Sequence, residues 1–528
     1  MPIVALESFV SRLKLPRFTF FERETWLADA ILIVGIAGIP FILVIGNGNF
    51  VFASVFLILL SILFFSFHRL AWGLNILIGL VLIADSYDIP GFRPFTYTIY
   101  YLQTLNVAMK NLIHVDPGWG VLTPFELHAL IILFIWVILG VLKKDFEIRR
   151  MPNRKVTLLF VASLLFSIAY GNLKGGDLLM SLWEVRALPF LVIMSWIVLQ
   201  FLRTKDQVYS LMWVVIWLIS FKAVQAIERF GELGFVFEGF RTLANHEDAV
   251  FIVTLFIFWI ALFLNGSKNS QRRWLSVLSI PLLMGFYVAN RRATYASFIV
   301  SLVAVFLLMK ESQQRRMAKV AGVVIVLFSI YVAAYWNSYG RLAVVAQGVK
   351  STLLSHDREA ISGEDFSSAL ARDQENFDLA TTFRKSPVIG IGFGKEYEMV
   401  IKFYGAYALK GYIAHNEVLW ILIKSGAVGY FLFFFFLNSF IFYGAKILVA
   451  LRDPYLRTVC IVSVVAIVNQ IVVSHVDMQL TYTRNMCYLG TLIGLIPAIE
   501  RIDRELQTAG GASQRSEANS SAEGVAGL

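Results

Sequence analysis

The sequence predicts an all-α polytopic membrane protein of about 14 transmembrane helices, with one large outer loop before the twelfth span. Three observations predict it. Of the 528 residues, 58% are hydrophobic and 16% charged, with a mean hydropathy of +0.70, whereas soluble domains average about 45–50% apolar and about 25% charged. The apolar residues come in continuous runs of roughly the 20 residues a helix needs to cross a bilayer, without the alternation of a barrel strand. Between two of these runs lies one long polar segment, Asn337 to Ala414.

In chain order, residues 1–26 are a charged flank containing SRLKLPRFTFFERETW. It is too polar before its first apolar run to read as a cleavable signal peptide, and is expected to lie at the cytoplasmic surface. Residues 27–336 are expected to carry eleven spans, at about 27–45, 50–67, 71–85, 125–142, 156–171, 187–202, 208–224, 249–264, 275–290, 293–309 and 320–336. Residues 337–416 form the large loop. Its Phe366, Phe377, Phe383, Phe393, Tyr397, Phe403, Tyr404 and Tyr407 let it bury apolar surface against the membrane domain. Residues 417–499 hold three more spans, at about 417–443, 458–474 and 485–499. The small, polar residues 500–528 read as a disordered tail, and an even number of spans leaves both termini in the cytoplasm.

Charge fixes the orientation. The net charge is +10, but the basic residues are spread as span flanks: Lys143 to Lys155, Lys268 with Arg272 and Arg273, Lys310 with Arg315, Arg316 and Lys319, and Lys446 with Arg452 and Arg457. Basic residues mark cytoplasmic loops, so these flanks face inward, and nucleic-acid binding explains the charge poorly. The run from Leu275 to Met309 is too long for one crossing and has basic flanks at both ends. It must therefore cross twice and turn at Arg291-Arg292, which places that pair at the outer face without a Gly or Pro to mark the turn. The same bookkeeping puts residues 85–124, 172–186, 225–248, 337–414 and 475–484 outside. The two cysteines, Cys460 and Cys487, fall near opposite membrane faces and are not expected to bridge.

The outward span ends then hold Arg186, Arg241, His246, Arg291, Arg292, Arg372, His415 and Arg484. Guanidinium groups grip phosphate oxygens bidentately, so this set points to a lipid phosphate or diphosphate. A histidine is the natural group to take a proton from a hydroxyl at neutral pH. Each element also has an ordinary structural reading. Arg186 reads equally as an interfacial anchor, the Arg241–Asp248 string as a helix start with acids in its first turn, and His415-Asn416 as a helix cap. Asp373 and Glu375 have the spacing of a metal-binding pair, but a solvated acidic face beside Arg372 accounts for them as well. No cofactor or metal is expected.

Four strings in order, GFRTLANHEDAVF, ANRRATYASF, RDQENFDLATTFRKSPVIGIGFG and HNEVLWILIKSGAVGY, together resemble the O-antigen ligase and polymerase superfamily over roughly Arg241 to Tyr430. That resemblance implies a GT-C-like, all-helical membrane glycosyltransferase of the bacterial inner membrane. It would transfer or polymerise an undecaprenyl-diphosphate-linked oligosaccharide at the periplasmic face, without a metal, for O-antigen or exopolysaccharide synthesis. The acceptor would be a glycan, a lipid-A core or a protein hydroxyl, and other polysaccharide assembly proteins are conceivable partners. Carried over by residue, the pattern makes His415 the base and Arg241 and Arg292 the diphosphate ligands. Arg291 and Arg186 are further ligand candidates, and Asn416, Arg372 and His246 are supporting ones. Where the family has a Ser before its turn arginine this chain has Asn290-Arg291-Arg292, so either arginine fits; Arg292 is preferred because the small Ala293 follows it. Polymerase is favoured over ligase by the length of the chain. The alternative from another class is a lipid-linked oligosaccharide flippase or transporter, for which Asp29 and Lys222 are the candidate in-span charges.

Overall fold

A computed structural model describes residues 26–45, 50–85, 94–113, 121–143, 147–237, 243–338, 340–401 and 409–526. Every apolar run predicted as a span falls on a helix. In order these are α1 (Trp26–Ile45), α2 (Phe50–His68), α3 (Leu70–Ile83), α4 (Leu105–Ile113), α5 (Pro124–Lys143), α6 (Arg154–Leu173), α7 (Leu178–Val185), α8 (Pro189–Phe201), α9 (Lys205–Glu232), α10 (His246–Leu264), α11 (Ser270–Ala289), α12 (Arg292–Leu308), α13 (Glu311–Tyr335), α14 (Val344–Leu353), α15 (Gly363–Lys385), α16 (Glu417–Leu448), α17 (Pro454–Val473) and α18 (Thr483–Ala526). Among the described residues, seven helices are long and apolar enough to cross a membrane, or eight if α7 and α8, bent by 48° at their junction, form one broken span. The chain is a multi-pass helical membrane protein.

The chain divides into two compact units, Met1–Leu77 with Thr104–Glu147, and Ile78–Gln103 with Ile148–Leu528. In the first, α1 packs along α2, and α2 also touches α4 and α5. The second contains the large loop and every described candidate site residue. Its most extensive helix pair is α8 with α18, where Gly490 and Gly494 sit four residues apart. A Cβ on Gly494 would lie 2.4 Å from the Ser195 carbonyl oxygen. Small residues at this spacing let two helices approach closely where lipid offers no hydrophobic drive to pack. By contrast, α13 has no buried residue, as expected of an apolar helix that faces lipid.

Two local features differ from the sequence expectation or explain it. The long apolar run does break at the arginine pair: α11 ends at Ala289, Asn290 adopts a left-handed conformation (φ 44°, ψ 47°), and α12 starts at Arg292. Asparagine tolerates that region better than other side-chain-bearing residues, so it turns the chain without glycine or proline. At the other end, the last helix runs from Thr483 to Ala526.

Candidate functional site

Three consecutive residues at the head of α16 organise the site, each doing a different job. Asn416 is the N-cap: its Oδ1 accepts the Leu419 backbone N–H at 3.1 Å. Its amide also donates to Asn376 Oδ1 at 3.2 Å. The structural reading of this pair is therefore right for Asn416, and it leaves the His415 ring free of capping duty. Glu417 is fully buried. Its carboxylate accepts the backbone N–H groups of Gln479 at 2.6 Å and Thr481 at 3.0 Å, and that of Leu480 as well. This pins the connection between α17 and α18, and with it Asp477.

His415 meets Glu375, whose side chain is only 4% exposed. The carboxylate accepts the His415 backbone N–H at 3.0 Å and lies 3.2 Å from Nδ1. A carboxylate has no proton to give, so Nδ1–H must be the donor. That tautomer leaves Nε2 with a lone pair, the arrangement a general base needs. Arg372, Glu375, Asn376 and Leu379 recur at three- and four-residue steps on α15 and so share one face. Asp373 points elsewhere, to exposed His356 at 2.9 Å, so the two carboxylates that looked like a metal pair serve different histidines.

A second histidine–carboxylate pair lies nearby. His246, the first residue of α10, places Nδ1 2.8 and 3.0 Å from the two oxygens of Asp477. Arg291 reaches the same carboxylate at 3.7 Å. Burial alone would raise the Asp477 pKa, but the charges of His246, Arg291 and Arg372 outweigh it and hold the carboxyl well below its usual range. Arg372 bridges the two pairs electrostatically. Burial lowers its pKa, the charges of Arg291 and Arg292 act in the same direction, and those of Asp477 and Glu375 oppose. Arg292 turns toward the loop helices, donating to Ser351 Oγ on α14 at 3.0 Å and facing Asp365 on α15 at 3.6 Å.

The structure thus gathers His246, Arg291, Arg292, Arg372, His415 and Asn416 from elements far apart in sequence. Arg241 lies outside the described residues. Arg186 stacks over Trp183 on its own helix, 4.7 Å from the ring centroid, which agrees with an anchoring role. Arg484, also at an outward span end by sequence, is buried and held by Asp248 at 2.6 Å. Lys222 is buried against Asp85 at 2.6 Å, with Gln225 and Thr96 beside it. Sequence reasoning missed Asp477 and Glu417, and set Glu375 in the wrong context. The acid inside the first turn of the HNEV helix was the available signal for Glu417.

The SPVIGIGFG string, whose role no sequence argument supplied, fixes the loop to the bundle. Helix α16 is interrupted at Gly426, whose φ of 64° and ψ of −175° break its own hydrogen-bond ladder. The loop heals the break. Ile391 N–H and Gly392 N–H donate to the Ile423 and Lys424 carbonyls at 2.8 and 3.0 Å, and Ala427 and Val428 N–H donate to Pro387 and Val388 at 2.9 and 3.2 Å. A Cβ on Gly390 would lie 2.5 Å from the Lys424 oxygen, so only glycine allows this approach. Beneath it, Lys424 and Glu184 form a fully buried ion pair at 2.7 Å, and Glu184 also accepts the Gly394 N–H. Phe393 is fully buried against Trp420, as the aromatic content of the loop predicts.

Residues 277–434 match the family model described as O-antigen ligase. The match supports the resemblance of that stretch to the O-antigen ligase and polymerase superfamily. It runs from α11 through the loop into α16 and includes Arg291, Arg292, Arg372, Glu375 and His415, together with the glycine-mediated splice. His246, Asp477, Arg186 and Arg241 lie outside it. No curated protein matches the chain.

Proposed function

We propose that the protein is a metal-independent glycosyltransferase of the bacterial inner membrane, with fourteen crossings, both termini in the cytoplasm and its site on the periplasmic face. It takes an oligosaccharide from an undecaprenyl-diphosphate donor and joins it to a hydroxyl acceptor. The observation that carries the reading is the His415–Glu375 pair, which lies beside Arg291, Arg292 and Arg372 and inside the stretch matching the O-antigen ligase family.

A diphosphate ester is already a good leaving group. Catalysis then consists of orienting the sugar, neutralising charge on the departing oxygens and activating the nucleophile. His415 Nε2 takes the proton of the acceptor hydroxyl while Glu375 fixes the ring and stabilises the imidazolium that forms. The acceptor oxygen bonds to the anomeric carbon as the carbon–oxygen bond to diphosphate breaks. Arg292, Arg291 and Arg241 hold the diphosphate, and Asn416 and Asn376 steady the His415 backbone. The loop helices α14 and α15 cover the reacting groups and exclude water that would hydrolyse the donor.

Purified protein given undecaprenyl-diphosphate oligosaccharide, with and without a lipid-A core acceptor, tests the reading by mass spectrometry. Polymerase action, favoured by chain length, joins glycan to glycan with no added core; ligase action requires the core. A product that moves between leaflets without losing its carrier would point instead to transport. The transport reading has less support here, because Lys222 is tied into a buried network with Asp85.

A further inference from the structure

The site holds two histidines, each with its Nδ1 on a buried carboxylate, and the transfer reaction assigns a role to only one. We propose that His246, held by Asp477, is the general acid of the reaction: protonated on Nε2 once the donor binds, it delivers that proton to the departing diphosphate oxygen. This rests on the glycosyl-transfer reading given above and extends it.

The geometry favours two complementary roles over a duplicated one. His415 and His246 feel each other's charge, and Arg372 interacts with Asp477 and Glu375, the carboxylate partners of both. Their charged surroundings differ. His415 has Glu375 directly on Nδ1. His246 shares Asp477 with Arg291, a further phosphate-ligand candidate next to the preferred Arg292 at the same turn, so its ring is assigned to the leaving-group side. With Nδ1 on the carboxylate, only Nε2 is left to face the substrate. The His246 side chain is 34% exposed and is therefore open on one side.

The chemistry matches an imidazolium to this task. In the donor the terminal phosphate is a diester; when its bond to the sugar breaks it becomes a monoester and gains one negative charge. A phosphate monoester's second ionisation has a pKa of about 6, so the departing oxygen can take up a proton near neutral pH. The balance is complete. The acceptor proton goes to His415 Nε2, the His246 Nε2 proton goes to the new phosphate oxygen, and exchange with water resets both rings. The charged groups facing His246 are Asp477 from the α17–α18 connection, Arg291 from the α11–α12 turn and His415 from the head of α16, with the Tyr482 ring edge-on. Arg372 from α15 lies on the far side of Asp477. Burial, first, and Arg291 disfavour the imidazolium while Asp477 favours it; the charge of the incoming diphosphate tips the balance, so the acid forms only when there is a leaving group to protonate.

The test is the pH–rate profile of undecaprenyl-diphosphate release by detergent-purified full-length protein, for the unmodified chain, His246→Gln, Asp477→Asn and His415→Gln, each first shown to be monodisperse. The unmodified protein is expected to give a bell, with an acid limb from His415 and an alkaline limb from His246. His246→Gln should lose on the order of 100-fold at neutral pH and lose the alkaline limb while keeping the acid one. Asp477→Asn, a positioning change, should move the alkaline limb to lower pH, because the imidazolium loses its counter-charge. A His246→Gln profile that keeps its alkaline limb, or Asp477→Asn without a shift, overturns the assignment while leaving His415 as base intact. Unmodified protein that releases no undecaprenyl diphosphate overturns the transfer reading and the acid role together.

Discussion

Replacing Glu375 by Gln tests the geometry of the base at one atom. The amide keeps the size of the carboxylate, and its oxygen can still accept the His415 backbone N–H now bonded at 3.0 Å. Its NH₂ group then takes the place of Oε1, 3.3 Å from Nδ1, while the retained oxygen stays 3.2 Å from that nitrogen. Nδ1 then has an amide donor beside it as well as an acceptor, so the Nδ1–H tautomer is no longer enforced and the ring also populates the one with the proton on Nε2, where it cannot take one from the acceptor. The charge that stabilises the imidazolium is lost as well. General-base catalysis contributes about 10²–10⁴-fold, which is about 3–5 kcal/mol at roughly 1.36 kcal/mol per decade. Most of that should disappear from kcat, with KM for the donor little changed, because Glu375 contacts the histidine and not the diphosphate. The assay is the initial rate of undecaprenyl-diphosphate release at saturating donor, with thermal stability measured in parallel. A Glu375→Gln protein of unchanged stability with a rate within threefold of the unmodified one would refute the reasoning.

Three further outcomes follow from the same geometry. Gly426→Ala puts a Cβ at φ 64°, 2.3 Å from the Val388 carbonyl oxygen; left-handed strain alone costs about 1–2 kcal/mol. It should lower the melting temperature and expose the Pro387–Gly394 segment to protease. Glu184→Ala leaves Lys424 as an uncompensated buried charge, at a cost of about 3–5 kcal/mol; Glu184→Gln with Lys424→Met should recover much of it, read by thermal unfolding in detergent. Arg292→Ala should cut kcat by about 10²–10³-fold, as loss of one preorganised charge-stabilising donor does. Arg292→Lys, a point charge without the bidentate fork, should fall between.

Much of the fold was legible because lipid permits few solutions. Run length placed the helices that carry His246, Arg291, Arg292 and His415-Asn416, including the break at Arg291-Arg292, for which Asn290 supplied the unmarked bend. The aromatic content of residues 337–416 led to the expectation that they dock, but composition did not reveal the helices among their described residues. The hydrogen bonds that dock it lie between the Pro387–Gly394 backbone and a helix interrupted at Gly426, and backbone pairing of this kind leaves only glycines as its trace. Among site residues, His415, Arg291, Arg292 and Arg372 stood out because cations and imidazoles are uncommon next to membrane spans unless something holds them there. Asp477 and Glu375 did not, since a carboxylate in a polar loop looks solvated until its partner from a distant helix is known. Asn416 shows the limit of weighing a cap against a site residue by sequence alone: one residue caps the helix and its neighbour carries the imidazole.

The central claim is that His415 activates an acceptor for attack on a lipid diphosphate. Its most direct test is a single-turnover reaction of undecaprenyl-diphosphate oligosaccharide with the unmodified protein and with folded His415→Ala, following released carrier and joined glycan together. Both should appear stoichiometrically with the unmodified protein, and neither with His415→Ala. Joined glycan from His415→Ala at the unmodified rate would contradict it.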